Sequence, residues 1–396
     1  MKLITSFAPV FFFGSVIAAA SISPPPPYGN QTTPPCIFAG SSGFDLLQVA
    51  KRNSSCQHLV LSNLLVPAGV TLNLDKLKPG STVTFVGKTT FPFLSTGFSG
   101  PLLSISSSSN LTIRGLPFSS LHGSGELYWD GLGQNGPIAK PKFFQVHKLV
   151  NSVIEGITIV NAPVHVFSIN QCKNLTVKGV TIDNKAGDME WNAGKGGRNT
   201  DAFDIGASSE VVIEGARVWN QDDCVAVNSG TNITFRNGLC SGGHGLSIGS
   251  VGGRSDNTVQ NVLFENSVIA NSENDSDATP PISITTSGAR IKTKHSTTGL
   301  VSNITYRNVV LQNITKYGIV VDQSYSPPTK NAPPTNGVFI TGFTLVNVTG
   351  NLLPTGTNIF VNCGDGSCKE WEWKGVDVKG GKKSSKCLRV PSGSWC

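Results

Sequence analysis

The chain has 396 residues, 38% hydrophobic and only 14% charged, with 44 glycines and a formal net charge of +7. From Cys36 to the end the composition is even, so the chain can bury one large core and shows no linker that would divide it. The cations are scattered without Lys/Arg-rich runs, which argues against a nucleic-acid partner and suits a polyanionic one.

In chain order, residues 3–20 are an apolar run behind Lys2 that ends in small residues, the pattern of a signal peptide over residues 1–20. Pro9 and Gly14 interrupt the run, which speaks against a membrane anchor, and no second long apolar run follows. An exported chain with no membrane attachment after cleavage is expected. Residues 21–35, with Pro24, Pro25, Pro26 and Pro27, read as an extended pro-segment or linker. Residues 36–396 read as one domain, opened by a short helix near residues 44–51 that closes the N-terminal end of a stack.

A phrase close to Asn-(Leu/Ile)-Thr-apolar-x-Gly/Asn-apolar-x-apolar recurs from Asn110, Asn151, Asn174, Glu210, Asn232, Asn257, Asn303 and Gly337. Its middle copies step by 23, 36, 22 and 25 residues. Short β-branched strands punctuated by Gly and Asn at this period predict an all-β fold, a single parallel β-helix whose coils stack strand on strand. An antiparallel sandwich or propeller would need hairpin turns or a blade signature that the chain lacks.

Nine cysteines in an exported chain suggest disulfides, although sequence leaves their connectivity open. The natural local pairings are Cys36 with Cys56, Cys224 with Cys240, Cys363 with Cys368 and Cys387 with Cys396. Cys172 remains as a buried free thiol. The cysteines lack paired metal-ligand spacing, so no metal and no other cofactor is expected. Sequons begin at Asn30, Asn53, Asn110, Asn174, Asn232, Asn274, Asn303, Asn313 and Asn347.

The chemistry centres on Gln221-Asp222-Asp223-Cys224. Asp201 precedes Asp223 by 22 residues and His244 follows it by 21, about one coil each way. Stacked strands lie about 4.8 Å apart, so Asp201, the Asp222/Asp223 pair and His244 should form a ladder on one face. Arg290 and Lys292 alternate so that both cations share a face, and Tyr325 follows. Asp204 reads as a turn-stabilising residue, and the other five histidines as structural or surface residues.

At these residues the chain resembles the polygalacturonases of glycoside hydrolase family 28. The carriers are Asn199-Thr200-Asp201, Gln221-Asp222-Asp223-Cys224, Ser241-Gly242-Gly243-His244-Gly245-Leu246-Ser247-Ile248-Gly249-Ser250 and Arg290-Ile291-Lys292. The resemblance runs from Cys36 to Cys396, including the four cysteine pairs, and looks closer to fungal endo-acting members than to exo-acting ones. It implies a right-handed, pectin-lyase-like β-helix and a monomeric secreted enzyme that cuts polygalacturonate or pectin with inversion. Asp222 would be the general acid and Asp201 and Asp223 would hold and deprotonate the water, with His244 tuning the acid. Arg290, Lys292 and Tyr325 would bind the substrate.

Three departures accompany the match. Residues 275–289, including Pro280 and Pro281, intervene before Arg290 and read either as a cleft-edge loop or as retained intron sequence. Residues 185–192 form a longer, more apolar rim, and Asp322 and Ser324 stand where amide and acidic residues are usual. Rival readings are rhamnogalacturonan or xylogalacturonan hydrolysis, exo attack, a calcium-dependent pectate lyase, and a non-catalytic adhesin.

Overall fold

The recurring phrase is a strand held between two corners. Its first residue has left-handed backbone, with φ of 49° at Asn151, 51° at Asn174, 57° at Asn232, 55° at Asn261 and 54° at Asn303. Asn tolerates this region better than most side chains. The Asn side chains also bond from coil to coil: Asn174 donates to Asn151 at 2.9 Å, Asn261 to Asn232 at 3.1 Å and Asn303 to Asn261 at 3.1 Å. At the second corner Gly156, Gly179 and Gly215 have φ of 63°, 59° and 64°, and Asn237, Asn266, Asn308 and Asn347 take over the same position.

Between the corners Leu175, Val211, Ile233, Val262, Ile304 and Phe343 stack in register, as do Val177, Ile213, Phe235, Phe264, Tyr306 and Leu345. All of these side chains are buried, while Thr176, Thr234 and Thr305 alternate outward. The described sequon asparagines all have positive φ, so the Asn-x-Thr pattern is also the corner pattern of the fold. Two copies begin later than the sequence suggested. The stacked residues are Asn261 and Gly342 rather than Asn257 and Gly337, because the strands Thr258–Ala270 and Val338–Leu352 run straight through a corner.

The structure is a computed structural model and describes residues 34–52, 56–188, 195–271, 287–326, 328–329 and 332–396. The expected signal peptide and almost all of the Pro-rich segment lie outside these residues, as do the sequons at Asn30, Asn53 and Asn274 and most of the segment 275–289. Pro35–Cys396 forms one compact unit. Among the described residues 29 strands join in a single sheet network with every pairing parallel, wound as a right-handed parallel β-helix. No helix among them is long and apolar enough to cross a membrane.

The N-terminal helix is Gly40–Arg52, beginning earlier than expected. It buries Phe44 and Leu47, three residues apart on one face. Gly43 lets it lie against the first strand, since a Cβ there would stand 2.7 Å from the Phe38 carbonyl carbon. The four disulfides join the four expected pairs. Cys172 is free and buried, and burial pushes its thiol up to about 11.

One face of the solenoid carries the site. On its strands Phe144, Phe167, Phe203, Val225, Leu246, Ala289 and Ile319 stand in register and are buried. The rings of Phe144, Phe167 and Phe203 stack at 5.2 Å, a rigid base beneath the residues just outside the strands.

Candidate active site

Two residues before that apolar column runs a polar one. The register places Lys142, His165, Asp201, Asp223, His244 and Ser287 on successive coils. Backbone bonds carry the stacking past the strand ends: Val166 N donates to Asp201 O at 2.7 Å, Ala202 N to Asp223 O at 2.8 Å and His244 N to Asp222 O at 2.8 Å. The bend at Asp222 is pinned from inside by the buried Asn220 amide, which donates to the carbonyls of Thr200, Asp222 and Asp223. The Cys224–Cys240 bond ties the same coil together.

The adjacent acids leave the bend in different directions. Asp222 Oδ1 lies 2.9 Å from His244 Nδ1, and its Oδ2 accepts from Asn199 Nδ2 at 3.2 Å. Asp223 Oδ1 accepts from Ser247 at 2.7 Å and from Arg290, while its Oδ2 accepts from Lys292 at 2.8 Å. Asp201 Oδ1 is buried without a hydrogen-bond partner.

These surroundings separate three like groups. Burial would raise all three carboxyls. In Asp222 the charge and hydrogen bond of His244, with Lys292 and Arg290, override burial and hold the carboxyl well below the usual range. Arg290 and Lys292 hold Asp223 down in the same way. Asp201 is pushed well up by burial and by the neighbouring charges of Asp222, Asp204 and Asp223. Crowding of like charges therefore raises one acid of the trio, and that acid is Asp201.

Arg290 and Lys292 come from the strand Ser287–Lys294 and share the cleft face as the alternation required. In the free cleft both are engaged by Asp223. The Tyr325 ring lies 5.3 Å from Lys292 Nζ, and its side chain is partly exposed at the rim. Asp322 also lines the cavity, its Oδ1 taken by Ser324 and Asn362. Arg198 and Lys316, not singled out from the sequence, add two further cations. The cavity bounded by these residues is about 390 Å³, and a second, of about 610 Å³, continues along the same face past His147, Asn170, Asn228 and Arg254.

Two residues differ from their sequence reading. Asp204 sits within the strand Phe203–Gly206 rather than in a turn. His165 is not a bystander, since it lines both cavities beside Asp201. Its signal was the 36-residue separation from Asp201, the same step that separates the phrase copies at Asn174 and Glu210 on those coils.

Two groups of potential ligands converge, His165/Asp201/Asp204 and Asp222/Asp223/His244, with ligand atoms within 4.8 Å of one another in each. A cation in the second would face Arg290 and Lys292, which already occupy Asp223. In the first, His165 Nδ1 and Asp204 Oδ2 are 2.6 Å apart, closer than two ligands of one ion sit at bond lengths of about 2 Å in tetrahedral geometry.

Residues 56–396 match the profile of Glycosyl hydrolases family 28. The chain is 54% identical over 361 residues to Endopolygalacturonase I of Aspergillus aculeatus, covering 91% of this chain and 89% of that protein. It is 48% identical to Polygalacturonase 2 of Penicillium olsonii over the same shares of the two chains. Among solved structures, endopolygalacturonase I from Stereum purpureum complexed with two galacturonate superposes with a TM-score of 0.73 at 31% identity, over 90% of this chain and 99% of that one. The endo-xylogalacturonan hydrolase of Aspergillus tubingensis, at 21% identity and a TM-score of 0.69, shares the fold. With its carboxylate trio on a parallel β-helix and a family profile spanning nearly the whole helix, the chain belongs to the glycosyl hydrolases of family 28.

Proposed function

We propose that the chain is a secreted endo-acting hydrolase of the α-1,4-galacturonosyl linkages of polygalacturonate and pectin, working as a monomer with inversion at the anomeric carbon. The observation that carries this reading is the separation of the acids. Asp222 Oδ1 lies 2.9 Å from His244 Nδ1, while Asp223 is held by two cations in the same cleft. Inverting hydrolysis needs one carboxyl that gives a proton and carboxylate that activates water on the opposite face of the sugar.

In the proposed step a water held by Asp201 and Asp223 attacks the anomeric carbon, and its proton passes to carboxylate. The bond from that carbon to the leaving oxygen breaks, and the oxygen takes the proton held between Asp222 and His244. Each sugar brings a carboxylate, so fixed cations belong in its subsites. Arg290, Lys292 and Lys316 line the cleft for that purpose, with Tyr325 against the sugar near the scissile bond. Residues 1–20 would direct export. The names of relatives support the endo mode, and the two consecutive cavities give room for a chain bound along its length.

The test is a time course on polygalacturonate with products separated by size. A spread of oligomers is expected; monomer alone would mean exo attack. Unsaturated products lost on chelation would mean a lyase, and turnover confined to rhamnogalacturonan or xylogalacturonan would replace the substrate. Asp222→Asn should lower kcat by roughly 10²–10⁴-fold with circular dichroism unchanged. Normal turnover by that variant would remove Asp222 from the acid role.

A further inference from the structure

His165 stands where the two cavities meet. Its ring lies between two carboxylates of the next coil, with Nδ1 2.6 Å from Asp204 Oδ2 and Nε2 3.7 Å from Asp201 Oδ1. Neither contact is aligned as a hydrogen bond, so His165 Nδ1, Asp204 Oδ2 and Asp201 Oδ1 are three buried polar atoms without hydrogen-bond partners at one point. Such a knot is costly unless charge compensates it. A protonated imidazole between two carboxylates supplies that charge, whereas a neutral one leaves two buried anions facing each other. The Gln134 side-chain amide contacts Nε2 from the solvent side and can present its oxygen to a protonated ring.

We propose that His165 is a positioning residue for Asp201: held against Asp204, its imidazole carries a proton in place of Asp201 and so supplies the ionised carboxylate that water activation needs. The other charges around Asp201 oppose ionisation on balance. Burial and the charges of Asp222, Asp204 and Asp223 raise its carboxyl, and Lys292 lowers it. Lys292 is already bound to Asp223. On the other side of His165 the register places Lys142 one coil back, and both residues line the second cavity, which opens the imidazole to solvent. After each turnover the imidazolium gives its proton to solvent through the second cavity and then takes the one that Asp201 received from water, which restores the starting charges, so no oxidant, metal or further reactant enters the step.

This inference rests on Asp201 as a water-holding carboxylate, and the experiment separates the two. Asp201→Asn is measured first; full turnover would sink the role of Asp201 and with it the proposal. With that variant inactive, the pH profile of kcat is compared for the wild type, His165→Gln and His165→Lys. Without the imidazole, Asp201 should need a higher pH to ionise. The acidic limb of His165→Gln should move up by about one pH unit, roughly a tenfold loss of kcat on that limb, and His165→Lys should move it back. An unmoved acidic limb, an equal loss at every pH, or a rise in KM alone would overturn the proposal while leaving the role of Asp201 intact. Thermal melts of both variants identify a loss caused by misfolding, in which case the His165→Lys profile alone decides by whether its limb follows the wild type.

Discussion

Asp201, Asp222 and Asp223 are the same side chain in three surroundings, and the contrast makes each separately testable. Burial and the charges of Asp222, Asp204 and Asp223 make Asp201 hold a proton to higher pH in the native state than in the unfolded chain, where it is released above about pH 4. The native state therefore binds more protons than the unfolded one from about pH 4 up through the raised native value, and stability falls as pH rises across that window. Asp201→Asn removes the crowded charge, so its melting temperature should exceed that of the wild type at pH 7 and converge with it below about pH 4. A variant less stable than the wild type at pH 7 would mean that the cations around Asp223 already compensate the whole trio. His244 acts in the opposite sense on Asp222. Its ring lies 2.9 Å from Asp222 Oδ1 and is the partner of the acid in the proposed proton transfer. His244→Ala should lower kcat by roughly tenfold or more at the wild-type optimum and move the alkaline limb of kcat to lower pH. An unchanged limb would make His244 a purely structural residue.

At the scale of the strand and its corners, the fold depends on residues that accept left-handed backbone and bond to their copies above and below. Asn261 is the clearest case, since it is not a sequon, has φ of 55°, donates to Asn232 and accepts from Asn303. Asn261→Ala should cost about 2 kcal/mol, from left-handed backbone in a residue with a Cβ and from lost ladder bonds. Asn261→Gly relieves the backbone part and should recover about half of it. Denaturant midpoints decide the matter, and equal losses for the two variants would assign the corner to side-chain bonding alone. The same logic explains why Glu210, with φ of 57°, can occupy an Asn position: the stack on either side forces the conformation even where the residue does not favour it.

Over the whole molecule, stacking turns separations of 20 to 40 residues in the chain into neighbours one strand apart, and the cleft is the line along which those neighbours are polar. A solenoid built this way has ends with unpaired backbone, and an uncovered end invites strand addition from another chain. The helix Gly40–Arg52 covers the first coil with Phe44 and Leu47. Leu47 is fully buried, so Leu47→Lys should cost at least about 3 kcal/mol locally and release the cap. Light scattering should then show more concentration-dependent association than the wild type shows at the same temperature. A variant that associates no more than the wild type, with an unchanged melt, would show that the helix is not the element protecting that end.

Much of this was legible in the chain itself. The Asn and Gly corners, the period of the coil and the ladder of Asp201, Asp223 and His244 follow from residue type and spacing, because left-handed corners and alternating apolar positions leave a local mark. What spacing could not convey is which coils are longer than their neighbours. The steps in the polar column are 36, 22, 21 and 43 residues from His165 to Asp201, Asp223, His244 and Ser287, since the loops between strands vary while the stacking distance does not. Hence His165 joined the site only when the register was known. The direction each carboxyl takes at the bend, the capture of Arg290 and Lys292 by Asp223, and the raised acid being Asp201 were likewise decided by the tertiary structure. Charge and burial at a point depend on everything packed around it, and those neighbours come from five coils rather than from one stretch of sequence.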